Sequence, residues 1–434
     1  MNDIVLQAKK ILENEPLCSY CLGRLFGLLG RHLTNKQRGD AIKTTLFLDA
    51  TNHETQDIKA IKNLAKSGFP PAQKYLSEKN ITVEKETCVI CNDLFESLHF
   101  IIAKLIEKAK EYQFSTYLVG TKISPQILAK EDEIRGYFKL SYGESLKGEV
   151  NRILGKLIQH IFGATVDFKN PDILFQVNLN TFEIEIFSNS VFIYGRYKKF
   201  KRGISQSIWG RRRKTTKKIE HSVEEFITKP LLSLFKARDA VLHAAGREDI
   251  DALMLGTGRP FVVEVKQPKI RYVPLDIVLE KINSFGDGYV SVSNLEYSNL
   301  KMVRHLKMMS EKTHKVYQAL VRLSKPVDKD KIYALKDALE GIIVSQRTPT
   351  RVAHRRADKI RHKKIYKVNI ELVDERTFKL VIETQGGLYI KELINGDNGR
   401  THPNISELLD VPAECVALDV LDVKMEDVPD GKKK

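Results

Sequence analysis

The sequence predicts an α+β protein of two domains, the first organised around paired cysteines and the second around a mixed sheet. Three observations predict this. The chain has 434 residues, more than one ordinary domain needs. Helical apolar repeats and short strand-like alternations are interspersed along its whole length. A run of lysine and arginine at 196–218 interrupts the chain near its middle. Taking the far end of that run as the boundary gives domains 1–221 and 222–434.

The elements follow in order. Ile4, Val5, Ala8, Ile11 and Leu12 repeat at helical spacing and predict a short helix within 1–30 that leads to Cys18. Phe95, Leu98, Ile102, Leu105, Ile106 and Ala109 predict a second amphipathic helix just after Cys91. Alternation then predicts strands at 116–119, 173–177, 182–187 and 191–194, with a helix near 149–158. Beyond the basic run, 236–245 reads as helix-like. Strands are expected at 260–265, 316–323, 366–373 and 377–383, the last two joined through Asp374, Glu375 and Arg376 as a hairpin. The polar tail at 428–434 is expected to fray.

Charge narrows the partner. Lys and Arg number 71 against 55 Asp and Glu, a formal net charge of +16 with a sequence pI near 9.3. Such a surface captures polyanions over a Debye length. An anionic membrane is the weaker reading, because no apolar run approaches the ~20 residues that span a bilayer. The N-terminal stretch is charged and lacks a signal-peptide core, so a cytoplasmic protein is expected.

The positive charges are clustered. Residues 196–218 carry eleven Lys/Arg and no acid, among them Arg196, Lys198, Lys199 and Arg202, with Tyr197, Phe200 and Trp209 interleaved. A second run at 347–367 holds Arg347, Arg351, Arg355, Arg356, Lys359, Arg361, Lys363, Lys364 and Lys367 around one acid, Asp358. Cations neutralise phosphates and aromatic faces stack on unpaired bases, so both runs point to RNA. A charge run can also be only a solvated face. With no helix-turn-helix or zinc-finger pattern, RNA with exposed loops fits better than duplex DNA.

Four of five cysteines form two C-x-x-C pairs, Cys18/Cys21 and Cys88/Cys91. Each tight turn can aim two thiolates at one point, and two turns together supply the tetrahedral sulfur set of a structural zinc site. Two disulfides or four unpaired buried thiols are the alternatives, the first disfavoured in a reducing cytoplasm. Cys415, between apolar neighbours, reads as core.

Chemistry concentrates in 246–260, Gly-Arg-Glu-Asp-Ile-Asp-Ala-Leu-Met-Leu-Gly-Thr-Gly-Arg-Pro. A short polar turn leading into a strand is where a scaffold presents reactive groups. The bare tetrapeptide Gly246-Arg247-Glu248-Asp249 could equally be a salt-bridged turn. Three further stretches stand with it in order: Tyr194-Gly195-Arg196-Tyr197-Lys198-Lys199, the 346–358 run beginning Gln346-Arg347-Thr348-Pro349-Thr350-Arg351, and Gly386-Gly387-Leu388-Tyr389-Ile390-Lys391-Glu392-Leu393.

Together these motifs resemble the archaeal-type transfer RNA pseudouridine-54/55 synthases, over nearly the whole chain. The resemblance implies a zinc-binding, THUMP-containing N-terminal domain, with the THUMP module at about 60–195, followed by a mixed-sheet pseudouridine synthase domain. It implies transfer RNA as partner and an isomerase needing no catalytic cofactor or small-molecule cosubstrate. By the same resemblance Asp249 is the catalytic acid, with Asp251 as competitor. Tyr317 stacks on the target base, Tyr389 contacts substrate, Lys391 pairs with the aspartate, and Leu418 packs on the pocket. One departure stands out: some relatives carry cysteines after the tryptophan, whereas Trp209 here precedes Gly210-Arg211-Arg212-Arg213.

The chemistry suits these residues. Uracil leaves C1′, turns and rejoins through C5, consuming no redox equivalent or phosphate. A carboxylate can expel it as a nucleophile or by taking a 2′ proton, and the sequence does not choose between them. A non-catalytic RNA-binding protein or chaperone with a structural zinc site is the competing reading. Other THUMP enzymes need a glycine-rich or nucleotide-binding loop, and neither stands out in the sequence.

Overall fold

A computed structural model describes residues 3–52, 57–208, 221–309 and 313–424. The chain divides into two compact units, Met1–Asn189 and Ser190–Lys434.

The first unit begins with helices Asp3–Asn14, Ser19–Leu25, Asn35–Ala50, Ile58–Lys66, Pro70–Glu78 and Leu94–Ala109. The expected face of the first helix is realised, with Ala8, Ile11 and Leu12 buried. Cys18 caps the second helix, its Sγ accepting from Cys21 N–H. That cap turns the first cysteine pair inward. Next come β1 (Thr116–Lys122), helices Pro125–Tyr137 and Leu146–Phe162, then β2 (Thr165–Val166), β3 (Ile173–Asn178) and β4 (Glu183–Ser188). The strands form one sheet in the order β2-β1-β3-β4, with β1 parallel to β2 and β3 and with β4 antiparallel to β3. Alternate residues of β1 and β3 enter the core, among them Tyr117, Ile173, Phe175 and Val177.

The second unit is a larger mixed sheet. Its strands are β5 (Val191–Lys199), β6 (Asp239–Ala244), β7 (Leu253–Lys266), β8 (Val290–Ser298), β9 (His314–Leu323), β10 (Ile343–Arg347), β11 (Ile360–Asp374), β12 (Thr377–Gln385), β13 (Thr401–His402) and β14 (Ala413–Lys424). They run β13-β10-β11-β12-β9-β14-β7-β5-β8, with β6 also paired to β7. The β14–β7 pair is parallel, and its short register aligns Asp419 with Leu253 and Val420 with Met254. That junction divides the buried core. Val321, Phe378, Leu380 and Ile382 pack on one side, and Tyr197, Ile227, Leu231, Phe261 and Val263 on the other. Tyr317 touches both clusters. The hairpin read at 374–376 is present, with Asp374 opposite Thr377.

Two expectations need correction. The boundary falls at Asn189/Ser190 rather than 221/222, because β5 hydrogen-bonds to β7 and β8 and is therefore part of the second sheet. Residues 236–245 are not helical. They hold β6, antiparallel to β7 over six residue pairs from Asp239–Lys266 to Ala244–Phe261. Pairing with a long central strand overrides the helix propensity of its alanines.

Candidate active site and metal centre

The 245–252 loop joins β6 to β7, and its backbone is held from beneath by buried side chains. Arg259 donates to Ala245 O (Nη1, 2.7 Å), and Gln206 donates to Gly246 O at 3.0 Å. Lys199, fully buried, donates to the carbonyls of Ile204, Asp249 and Ile250 at 3.1–3.2 Å. Arg202 reaches Asp251 O at 2.6 Å, Leu418 O at 3.0 Å and the Asp419 carboxylate at 2.6 Å. Gly246 has φ +83°, a backbone state that favours glycine.

Glu248 points inward and forms the buried anchor of this loop. Its carboxylate accepts from Arg259 Nε at 2.8 Å and from the Tyr197 hydroxyl at 2.8 and 3.0 Å. Gln206 donates in turn to the Tyr197 oxygen at 2.7 Å. Burial pushes the Tyr197 hydroxyl well above its ordinary range, and the nearby Glu248 carboxylate adds to this. With Glu248 turned in, Asp249 and Asp251 turn out.

They face a cavity of about 890 Å³ lined by the loop, by Lys315 and Tyr317 of β9, by Arg351 and Arg356, by Lys363, by residues 387–391, and by Leu418 and Val420 of β14. That volume suits a nucleotide-sized ligand. All five residues expected to act on the substrate, Asp249, Tyr317, Tyr389, Lys391 and Leu418, lie on its wall. Arg351 Nη1 is 3.0 Å from Asp249 Oδ2, while Lys391 Nζ is 3.9 Å from Asp249 Oδ2 and 2.6 Å from Asp251 Oδ2. Lys391 therefore bridges the two aspartates, and Arg351 is the closer partner of Asp249. Burial resists ionisation of Asp251, but the hydrogen bond and charge of Lys391, with a backbone hydrogen bond and the charge of Arg351, together outweigh it and hold the carboxyl below its usual range. Arg351 is itself aimed by Glu392, its Nε 2.6 Å from Oε1.

Tyr389 is clamped through its backbone. Gln346 Nε2 donates to Tyr389 O at 3.0 Å, and Tyr389 N–H donates to Gln346 Oε1 at 2.9 Å. Its ring has the guanidinium carbons of Arg351 and Arg356 at 5.7 and 6.0 Å. The helix Ile390–Asn395 starts directly after it and carries Lys391 and Glu392. Tyr317 lies half-buried between the two cores, and burial pushes its hydroxyl up to about 12.

The basic residues singled out from the sequence separate. Arg356 is exposed on the cavity rim. Arg347 is exposed and paired with Asp358 at 2.6 Å, and Lys198 is half-buried on β5. Arg196 is tied to Thr257, Gly258 and Val423 at 2.8–2.9 Å, which staples strand ends. Lys199 is a correction: alternation along β5 turns it into the core, so it supports the loop and has no surface for RNA. The side chain of Arg355, and Trp209 with Arg211, Arg212, Arg213, Lys214, Lys217 and Lys218, lie outside the described residues. Sequence reasoning missed the roles of Arg351, Glu248 and Lys315. Their available cues were Arg351's place in the third motif and the two-residue spacing of Lys315 from Tyr317, which sets both on one strand face.

In the first unit, Cys18, Cys21, Cys88 and Cys91 converge, their four sulfurs lying within 4.8 Å of one another. Cys18 Sγ and Cys91 Sγ are 3.7 Å apart, and none of the four is in a disulfide. Sulfurs tetrahedral about zinc at ≈ 2.3 Å would be separated by roughly 3.8 Å, so the set fits a closed four-thiolate site. Arg24 adds a positive charge, with Nη2 3.8 Å from Cys21 Sγ and a buried ion pair to Glu131. Cys415 is half-buried against the apolar core, as read from the sequence.

Comparison with known proteins agrees with this architecture. Residues 192–424 match the family model described as Pus10, C-terminal, and residues 101–178 match that of the Pus10 THUMP domain, archaeal. The second match lies inside the 60–195 span read as THUMP. A protein of Thermofilum pendens named tRNA pseudouridine synthase Pus10 is 39% identical, over 95% of this chain and 94% of that protein. Proteins of the same name from Methanocaldococcus jannaschii and Pyrococcus furiosus are 41% and 36% identical, covering 95% and 98% of this chain and 93% and 99% of theirs. The chain is a pseudouridine synthase, an isomerase with a THUMP domain ahead of its catalytic sheet. It belongs to the Pus10 family.

Proposed function

We propose that this enzyme isomerises uridines 54 and 55 in the T-arm of transfer RNA, with Asp249 as the acid that acts on the sugar. The observation that carries the reading is Asp249 at the cavity wall, its carboxylate 3.0 Å from Arg351 with Lys391 behind it, while its neighbour Glu248 is consumed in a buried pair. Of the loop carboxylates open to the cavity, Asp249 is the one with a guanidinium in direct contact. Two cations, Arg351 and Lys391, hold it in place at the cavity wall. The extruded uridine stacks on Tyr317, which recovers about 1–3 kcal/mol of the unstacking cost. Leu418 packs on the base, and the Tyr389 ring with Arg351 and Arg356 borders the entrance.

The four-cysteine cluster holds zinc in this reading, and its role is to fix the fold of the first unit. Four thiolates fill a tetrahedral zinc and leave no open coordination position for chemistry. The exposed cations Arg347 and Arg356 hold RNA phosphates, and the reaction runs in the cytoplasm without cofactor or small-molecule cosubstrate. No helix among the described residues is long and apolar enough to cross a membrane. The test is to incubate purified protein with unmodified transfer RNA transcript in plain buffer and map pseudouridine chemically. Modification at 54 and 55 supports the reading; modification elsewhere, or none, refutes it. An RNA chaperone would leave the transcript unmodified and still bind it.

A further inference from the structure

The cavity contains a buried cation that the aspartate chemistry does not use. Lys315 and Tyr317 are two residues apart on β9 and line the same cavity wall. Lys315 is only 7% exposed. A Cβ built on Gly246 would lie 2.9 Å from Lys315 Nζ and 3.2 Å from Arg259 Nη1, so the glycine leaves room for both cations. Elsewhere in the cavity lining, a Cβ on Gly387 would lie 3.4 Å from Lys363 Nζ.

Among the described residues no carboxylate forms an ion pair with this ammonium. Glu248 is committed to Arg259 and Tyr197. The groups bearing on Lys315 are Arg259 on β7, Glu248 in the loop and Lys363 on β11, and its cross-strand partners Thr384 and Val423 are uncharged. Burial, reinforced by Arg259 and Lys363, lowers its pKa to about 7. An unpaired buried ammonium either loses its proton or needs a compensating partner. A ligand in the cavity can supply one.

We infer that Lys315 donates a hydrogen bond to the O4 carbonyl of the target uracil and stabilises the uracil anion formed when the glycosidic bond breaks. This rests on the pseudouridine synthase reading of the cavity. The location selects the base over the sugar. Lys315 Nζ lies against Gly246 at the start of the loop and Lys315 is two residues along β9 from Tyr317, whereas Asp249 is three residues further along the loop, against Arg351. With C1′ beside Asp249 and the ring on Tyr317, the edge farthest from the sugar reaches Lys315, and that edge carries O4. When the C1′–N1 bond breaks, its electron pair passes to the ring and spreads onto O2 and O4. C5 then forms the new bond to C1′, C5 loses its proton and N1 gains one. Lys315 keeps its own proton throughout. Cytosine presents an amino donor where uracil presents O4, so the same contact selects uridine.

The test uses the full-length protein and unmodified transfer RNA transcript. Lys315→Met, which keeps the stem and removes the charge, should lower kcat about 100-fold with transcript KM changed by less than about threefold, the pattern of a lost charge-stabilising donor. Wild-type kcat/KM should fall as pH rises through about 7, as free enzyme loses the ammonium. Lys315→Arg, always protonated, should remove that alkaline limb. The inference is overturned if Lys315→Met turns over within threefold of wild type, or if Lys315→Arg keeps the same limb. Absence of product with wild-type protein would instead sink the synthase reading on which the inference rests.

Discussion

Glu248→Gln should be among the most damaging changes in the second unit, although its carboxylate is committed to Arg259 and Tyr197 rather than to substrate. Glu248 and Arg259 are both nearly inaccessible and 2.8 Å apart. Removing one partner of such a pair costs about 3–5 kcal/mol, because the other charge stays buried and uncompensated. At about 2–4 °C per kcal/mol for a domain of this size, the midpoint should drop by roughly 6–20 °C. The assay is thermal unfolding followed by circular dichroism, with turnover measured on the same samples below the transition. The double variant Glu248→Met/Arg259→Met separates charge from packing. Replacing both ions by apolar groups is often neutral, so it should melt within about 2 kcal/mol of wild type. It should nevertheless turn over slowly, since Arg259 no longer holds Ala245 O. A Glu248→Gln midpoint within 2 °C of wild type would refute the reasoning, as would a double variant less stable than the single one.

Three further outcomes are expected. Arg351→Met removes the nearer cation of Asp249 and should cut kcat about 10–100-fold, since small misplacements of a reacting group are costly; an unchanged kcat assigns the orienting role to Lys391 alone. Cys88→Ala should release the metal and unfold the first unit, read as loss of stoichiometric zinc by elemental analysis together with loss of ellipticity; full zinc in the variant contradicts a four-thiolate site. Lys315 has a folded pKa of about 7 against the ordinary 10.5, so the unfolded chain binds the extra proton between those values and wild-type stability should rise with pH across that window. Lys315→Met should therefore be more stable than wild type below pH 7, with the gap closing toward pH 10.5; a pH-independent gap contradicts a buried ammonium.

Much of the site was legible because its motifs are contiguous and sit where a turn meets a strand. Asp249, Tyr317, Tyr389, Lys391 and Leu418 come from four separated segments and line one cavity. Arg351 was hidden among nine cations of one run, and only three-dimensional proximity distinguishes it. Lys199 was misread because composition records charge and not direction: β5 buries alternate residues, and one of the run's lysines falls on the inward face. The same strand explains the displaced boundary. Its charges resemble a linker, while its backbone pairs on both sides within the second sheet. The stretch at 236–245 looked helical from its alanines and adopts the strand its neighbour β7 templates.

The most direct measurement is single-turnover conversion of unmodified transfer RNA transcript by Asp249→Ala beside wild type, with binding measured in parallel. With Asp249 as the group that acts on the sugar, the variant makes no detectable pseudouridine while holding the transcript within a few-fold of wild-type affinity. Pseudouridine formed at an appreciable rate by Asp249→Ala would contradict this and transfer the chemistry to Asp251, 2.6 Å from Lys391 on the same loop.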